Sequence, residues 1–124
     1  MTDKADIIVI GGGPGGYVAA LRAAQLGARV TLVEKENLGG VCLNWGCIPT
    51  KALIKTAEVF GLAKNGAEFG VIVDSPRLDW PKAQARKQKI VDQLVGGVEM
   101  LLNRAKVQVV KGAARLVAPN AVQV

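Results

Sequence analysis

A glycine run wedged between two apolar stretches leaves this chain little freedom in how it begins to fold. Residues 6–10 read DIIVI, residues 11–16 GGGPGG and residues 29–33 RVTLV. A short apolar run that ends in glycine suits a strand buried on both faces. Residues 17–26 are rich in alanine and leucine and predict a helix, stopped by Gly27. Glu34 ends the second strand, 18 positions after Gly16. A GxGxxG alone is weak evidence. Here Gly11, Gly13 and Gly16 sit in a strand, loop, helix, strand and acidic-residue order, which is the whole βαβ dinucleotide-binding fingerprint. Gly11 makes the turn, Gly13 lets the backbone approach a pyrophosphate, and Gly16 permits close helix packing. The helix N-terminus favours phosphate, while Glu34 suits ribose hydroxyls and argues against a 2′-phosphate. The competing reading is a glycine-rich turn without a ligand.

The second constraint is residues 38–53, LGGVCLNWGCIPTKAL, which hold both cysteines. In one helix running from about residue 40, Cys42 and Cys47 would stand about 8.6 Å apart. A disulfide needs roughly 4.4–6.8 Å. Pro49 has no N–H for the Trp45 carbonyl and crowds it, so a distorted, compressed turn that joins the sulfurs is expected. A disulfide closing so small a loop constrains the unfolded chain little, which points to a chemical use. Lys51 follows Cys47 by four residues on the same helix face, where a cation favours thiolate. Gly46 lets a flat partner approach the backbone. Together these features predict a dithiol stacked on something planar.

Composition narrows the chemistry. A chain of 124 residues, half of them hydrophobic, fits one core with buried parallel strands, or a fragment missing its partners. The apolar run in residues 1–10 is too short for a leader or a membrane span, so a cytoplasmic location is expected. Two close cysteines there are redox-active or metal-binding sooner than structural. With no histidine and two cysteines the chain cannot build a soft zinc site alone. The net charge of +6 rests largely on Lys82, Arg86, Lys87, Lys89, Arg104, Lys106 and Lys111. Aromatics make up only 4 % and no nucleic-acid motif accompanies these cations, so they read as a solvated helix face.

Further along, the cysteine helix is expected to run to residue 64 with Leu53, Ala57 and Phe60 buried, and Asn65 and Gly66 end it. Residues 67–78 read as a loop with a short strand at 71–73. Asp79 is expected to cap a helix over 80–104, with Pro81 in its first turn. Val91, Leu94, Val98, Leu101 and Ala105 mark its core stripe, and Gly96 and Gly97 suggest close packing on another backbone. Residues 107–110 form a third strand, closed by Lys111 and Gly112. Residues 116–124 open a meander that turns at Pro119 and Asn120. The expected class is α/β: a Rossmann-like domain with a central parallel sheet.

GGGPGG after DIIVI, the Glu34-Lys35 pair and above all LGGVCLNWGCIPTKAL resemble the N-terminal FAD-binding segment of the flavin-dependent pyridine nucleotide-disulfide oxidoreductases. Within that family the similarity is greatest to the dihydrolipoyl dehydrogenase branch, and glutathione and mercuric reductases share the GGxCxNxGCxPxK core. Trp45 replaces the small apolar residue common there. The resemblance implies that Gly11, Gly13, Pro14, Gly15 and Gly16 hold the FAD pyrophosphate, and that Glu34 and Lys35 border the adenosine ribose. Gly112 matches a glycine whose neighbourhood contacts the adenine. Gly40 and Val41 join the cofactor contacts beside the cysteines. Cys42 matches the interchange thiol, Cys47 the charge-transfer thiol against the flavin, and Lys51 the lysine near the reactive ring edge.

The family's later FAD segments, its NAD-binding, central and dimerisation domains, and the histidine of its acid-base pair are absent from these 124 residues. The expectation is therefore that residues 1–124 are the N-terminal part of an FAD-binding domain, inactive in isolation. The longer protein would be a homodimer that passes electrons from a lipoyl group of a 2-oxoacid dehydrogenase complex through the cysteines and FAD to NAD. The alternatives are another disulfide reductase of the family, a truncated and catalytically silent FAD or ADP binder, and a flavin-free thiol switch.

Overall fold

Residues 4–124 are described by the computed structural model. The sheet is built around β2 (Val30–Glu34), in which Val30, Leu32 and Val33 are buried. Alternate residues of a strand face opposite sides, so buried neighbours such as Leu32 and Val33 mean that β2 is covered on both faces. β1 (Ile7–Ile10) and β3 (Gln108–Lys111) flank it in parallel, with Ile7 opposite Val30 and Thr31 opposite Gln108. Parallel neighbours need crossover connections. The first is α1 (Pro14–Gln25). The second is α2 (Gly40–Asn44), α3 (Cys47–Lys64), a 3-10 turn at Gly66–Phe69 and α4 (Trp80–Arg104). The expected α/β class and parallel sheet are thus observed. β4 (Arg115–Ala118) and β5 (Ala121–Gln123) form the expected hairpin around Pro119 and Asn120.

Burial departs from expectation in β1. Ile7, Ile8 and Ile10 are exposed instead of buried on both faces, because β1 is an edge strand that pairs only with β2 among the described residues. Its start is tied to β2 by polar groups. The Asp6 carboxylate accepts from the Arg29 guanidinium at 2.7 Å and 3.2 Å and from the Arg29 N–H at 2.8 Å. The α1 helix starts at Pro14, three residues earlier than expected, with proline in its first turn. It ends at Gly27 (φ +94°) in a paired turn: the Gly27 N–H donates to the Ala24 carbonyl and the Ala28 N–H to that of Ala23.

Helix α4 begins where expected, with the Asp79 side chain accepting the Lys82 N–H at 3.0 Å. Its buried stripe is rotated from the expected one. Val91, Val98 and Leu102 are buried and Val95 and Ala105 pack beside them, whereas Leu94 and Leu101 are exposed. The two stripes share Val91, Val98 and Ala105, and the choice between Leu101 and Leu102 depends on where Ala20, Leu32 and Leu43 of the core lie. Gly96 and Gly97 face open space and not another backbone. In α3 the buried residues are Pro49 and Ala52; Leu53 and Phe60 are half-buried and Ala57 is exposed. Residues 71–73 form no strand: after Gly70 (φ +75°) they run exposed, with no ladder to join. Among the described residues no helix is long and apolar enough to cross a membrane. The reading of a missing leader rests partly on residues 1–3, which lie outside the described residues.

Two outcomes follow from this packing. Gly97→Ala should stabilise the chain by about 1 kcal/mol, raising Tm by about 4 °C, because a helix-interior methyl meets nothing there. Gly16→Ala should destabilise it by at least about 1–3 kcal/mol, because a Cβ would overlap the Gly11 carbonyl. Arg29 holds the Asp6 carboxyl down to about 2, below its unfolded value of about 3.9. Its stabilisation is therefore complete above about pH 4 and lost as pH falls through 2. The Tm difference between wild type and Asp6→Asn should shrink over that window in an acid titration.

Candidate functional site

At the carboxyl end of β1 the chain turns at Gly11 (φ +99°), whose N–H donates to the Val33 carbonyl at 2.8 Å. Gly16 then lies against the Gly11 carbonyl, so helix and loop meet without a side chain between them. Gly13 is the residue before α1 and supplies no side-chain cap. The first N–H groups of the helix, at Gly15 and Gly16, are left to an outside acceptor. A Cβ at Gly13 would meet only the Gly40 Cα, at 4.0 Å. The turn expected at Gly11 and the close helix packing expected at Gly16 are both seen.

Glu34 stands at the end of β2, and both its oxygens are engaged. The Gly12 N–H donates to Oε2 at 2.6 Å and the Glu36 N–H to Oε1 at 2.7 Å. The Gly112 N–H donates to the Glu34 carbonyl at 3.0 Å. Next to them a cavity of about 210 Å³ opens between Ile10, Gly11, Glu34, Lys35, Gly112 and Ala113. It lies at the carboxyl ends of all three parallel strands, where open α/β sheets bind their ligands. Four residues singled out from sequence, Gly11, Glu34, Lys35 and Gly112, therefore line one cavity although up to 101 positions separate them.

The cysteine stretch is two helices and not one. α2 ends at Asn44 and α3 starts at Cys47, with Trp45 and Gly46 between. The Val41 carbonyl accepts the N–H groups of both Trp45 (2.9 Å) and Gly46 (2.7 Å), which closes α2 with a wide last turn. Cys42 and Cys47 form a disulfide across this break, with Cα atoms 4.6 Å apart. Pro49 bends nothing: it sits in the first turn of α3, where an N–H would be unpaired anyway. Gly46 is tightly enclosed on its inner side, where a Cβ would lie 3.1 Å from the Val41 carbonyl oxygen. Cys47 is exposed at the first position of α3, Cys42 is half-buried, and Lys51 is exposed one turn beyond Cys47. A thiolate at a helix N-terminus is favoured by the unpaired N–H groups there.

The turn before α2 joins the two halves of the site. Gly39 (φ +87°) donates its N–H to the Gly12 carbonyl at 2.8 Å, and a Cβ on Gly40 (φ +56°) would stand 2.8 Å from the Gly13 Cα. Sequence reasoning missed Gly12, Gly39 and Asn44. The signal for the first two was present as excess glycine: GGG where the fingerprint needs two, and GG before the first cysteine. Asn44 carried none.

The family model of the pyridine nucleotide-disulphide oxidoreductases matches residues 5–124. The chain belongs to that family. Dihydrolipoyl dehydrogenase of Staphylococcus aureus is 54% identical over 121 residues, which is 98% of this chain and 26% of the relative. The protein of the same name from Zymomonas mobilis is 50% identical over 116 residues, 94% of this chain and 25% of the relative. Among solved structures, an HOCl-induced flavoprotein disulfide reductase of Escherichia coli, in a copper(II) complex, superposes with a TM-score of 0.76 at 28% identity. That match covers 94% of this chain and 24% of the other. This family member thus spans about a quarter of the length of the curated relatives it matches.

The Glu34 carboxylate has two N–H donors, and an amide would turn its own NH₂ toward one of them. Glu34→Gln should therefore cost about 1–2 kcal/mol, measured as a lower urea midpoint with an unchanged m-value.

Proposed function

We propose that this chain is the N-terminal part of the FAD-binding domain of a dihydrolipoyl dehydrogenase, with Cys42 and Cys47 as its exchanging pair. One observation carries the reading: the disulfide closes a helix junction whose leading turn lies in backbone contact with the dinucleotide loop. The names of the relatives support the branch of the family.

The residues fit a dinucleotide. The open face of Gly13 and the uncapped start of α1 leave room and N–H donors for a pyrophosphate, held by Gly11, Gly13, Pro14, Gly15 and Gly16. The cavity at Glu34, Lys35 and Gly112 would take the adenosine. Gly40, Val41, Cys42 and Lys51 would border the flavin end. FAD, when bound, supplies a two-electron acceptor beside the pair, and NAD would take the electrons onward in the longer protein.

The chain's own sulfurs perform the exchange with the dithiol substrate. A substrate thiolate attacks the Cys42 sulfur, breaking the Cys42–Cys47 bond and releasing Cys47 as thiolate. The second substrate thiolate attacks the substrate sulfur of that mixed disulfide, releasing Cys42 and closing the substrate's own ring. The substrate loses two electrons, the pair gains two, and the two substrate thiol protons pass to a base. With no histidine among its residues, this chain leaves that base to another part of the protein. The start of α3 stabilises the Cys47 thiolate formed in the first step. The lipoyl group of a 2-oxoacid dehydrogenase complex is the proposed substrate, with homodimerisation through the remaining domains and a cytoplasmic setting that suits reversible dithiol chemistry.

The test is FAD binding to the purified chain, followed by flavin fluorescence and by the visible spectrum after desalting. Wild type should retain FAD. Gly13→Ala should keep its Tm, since the added methyl meets only the Gly40 Cα at 4.0 Å, yet bind FAD at least about tenfold more weakly by blocking the pyrophosphate approach. A folded wild-type chain that retains no flavin, or equal retention by the variant, would sink the reading.

A further inference from the structure

The short helix that carries Cys42 is anchored to the core by Leu43 but makes few backbone bonds of its own. α2 is five residues long, Gly39 gives it no side-chain cap, and its Leu43 N–H reaches the Gly39 carbonyl only at 3.3 Å. A single helical turn is unstable by itself in water. Asn44, which lies between the cysteines and is half-buried, supplies what is missing. Its Nδ2 donates to the Leu38 carbonyl at 2.9 Å and to the Gly40 carbonyl at 2.9 Å. One bond stays within α2. The other crosses to the residue before the left-handed Gly39–Gly40 pair, in which the Gly39 N–H donates to the Gly12 carbonyl and Gly40 lies close against the Gly13 Cα.

We propose that Asn44 is a positioning residue of the redox pair: by clamping the Leu38 and Gly40 carbonyls it fixes α2 on the glycine loop and so sets how readily Cys42 and Cys47 close. Disulfide formation from two thiols depends on their effective concentration, which rises as their carriers are held in one geometry. α3 is a long helix anchored by Pro49 and Ala52 in the interior. α2 is the shorter half of the pair, with one buried residue, Leu43, and the clamp acts on it. Loosening α2 lowers the closure constant and leaves the dithiol form favoured over a wider range of redox poise.

The experiment equilibrates the purified chain in graded mixtures of reduced and oxidised dithiothreitol, traps thiols by alkylation and counts them by mass. Asn44→Leu, similar in size with both donors gone, should become reduced at about a tenfold lower ratio of reduced to oxidised dithiothreitol, equivalent to about 30 mV. Asn44→Ser, whose hydroxyl can reach the carbonyl four residues back but not Leu38, should fall between wild type and Asn44→Leu. A merely structural role would lower Tm equally in the oxidised and reduced forms and leave the exchange equilibrium within twofold of wild type, which would overturn the proposal. If Asn44→Leu does not fold, Asn44→Ser decides, and a wild-type equilibrium there overturns it. The clamp rests on the reading of an exchanging pair only for its purpose. No flavin enters the measurement, so failure of the clamp and failure of FAD binding are seen separately.

Discussion

Two glycine turns in backbone contact hold this structure's functional end together. Gly12 and Gly13 on one side meet Gly39 and Gly40 on the other, through the Gly39 N–H bond to Gly12 and a contact that a Cβ on Gly40 would close. A side chain at Gly40 would push the loops apart, and with them the start of α1 from the start of α2. The Glu34 carboxylate locks the same point from the sheet side by accepting the Gly12 N–H. Sheet, dinucleotide loop and cysteine turn therefore converge on a few backbone atoms. The position of the disulfide follows from that convergence more than from packing of its own side chains.

The apolar core is placed so that the site stays outside it. Leu32 and Leu102 are completely buried, and Ala20, Val30, Val98 and Val107 surround them. At about 25 cal/mol per Å² of apolar area this cluster supplies the main favourable term for folding. Leu43 of α2 reaches into it and Cys42 packs at its margin, while Cys47 remains at the surface. The cysteine turn is thus attached to the core by Leu43, with Leu38, Cys42 and Ile48 beside it, and to the loop by backbone contacts. Such a segment can change its covalent state without the core being rebuilt.

What was legible from sequence was what local backbone chemistry demands. Glycines at 11, 16 and 27, the Asp79 cap and the Pro119–Asn120 turn each meet a local backbone requirement. What was not legible depended on tertiary choice. Leu101 and Leu102 are equally apolar, and only the position of the sheet decides that Leu102 is buried. DIIVI has the composition of a central strand, yet in this chain its outer edge has no partner among the described residues. VIV at 71–73 has high β propensity and forms no ladder, because the 3-10 turn before it leads the chain along the surface. Cavity-lining residues as distant as Gly11 and Gly112 were associated by family resemblance and not by spacing, since nothing local links them.

The helix break at Trp45 and Gly46 illustrates how a correct conclusion can have another cause. Five positions of continuous helix keep two cysteines too far apart, so some distortion was required, and Pro49 was the obvious agent. The chain instead ends one helix and begins another, and Pro49 serves as an early residue of the second. The difference matters chemically. A bent helix would leave Cys47 in the interior of a hydrogen-bond ladder, with its neighbouring N–H groups already paired. A new helix puts Cys47 at its first position, where unpaired N–H groups favour a thiolate. Closure of this small ring restricts the unfolded chain by only about 2 kcal/mol, within the range that thiol exchange can offset. The break that brings the sulfurs together is also what makes one of them a good leaving group.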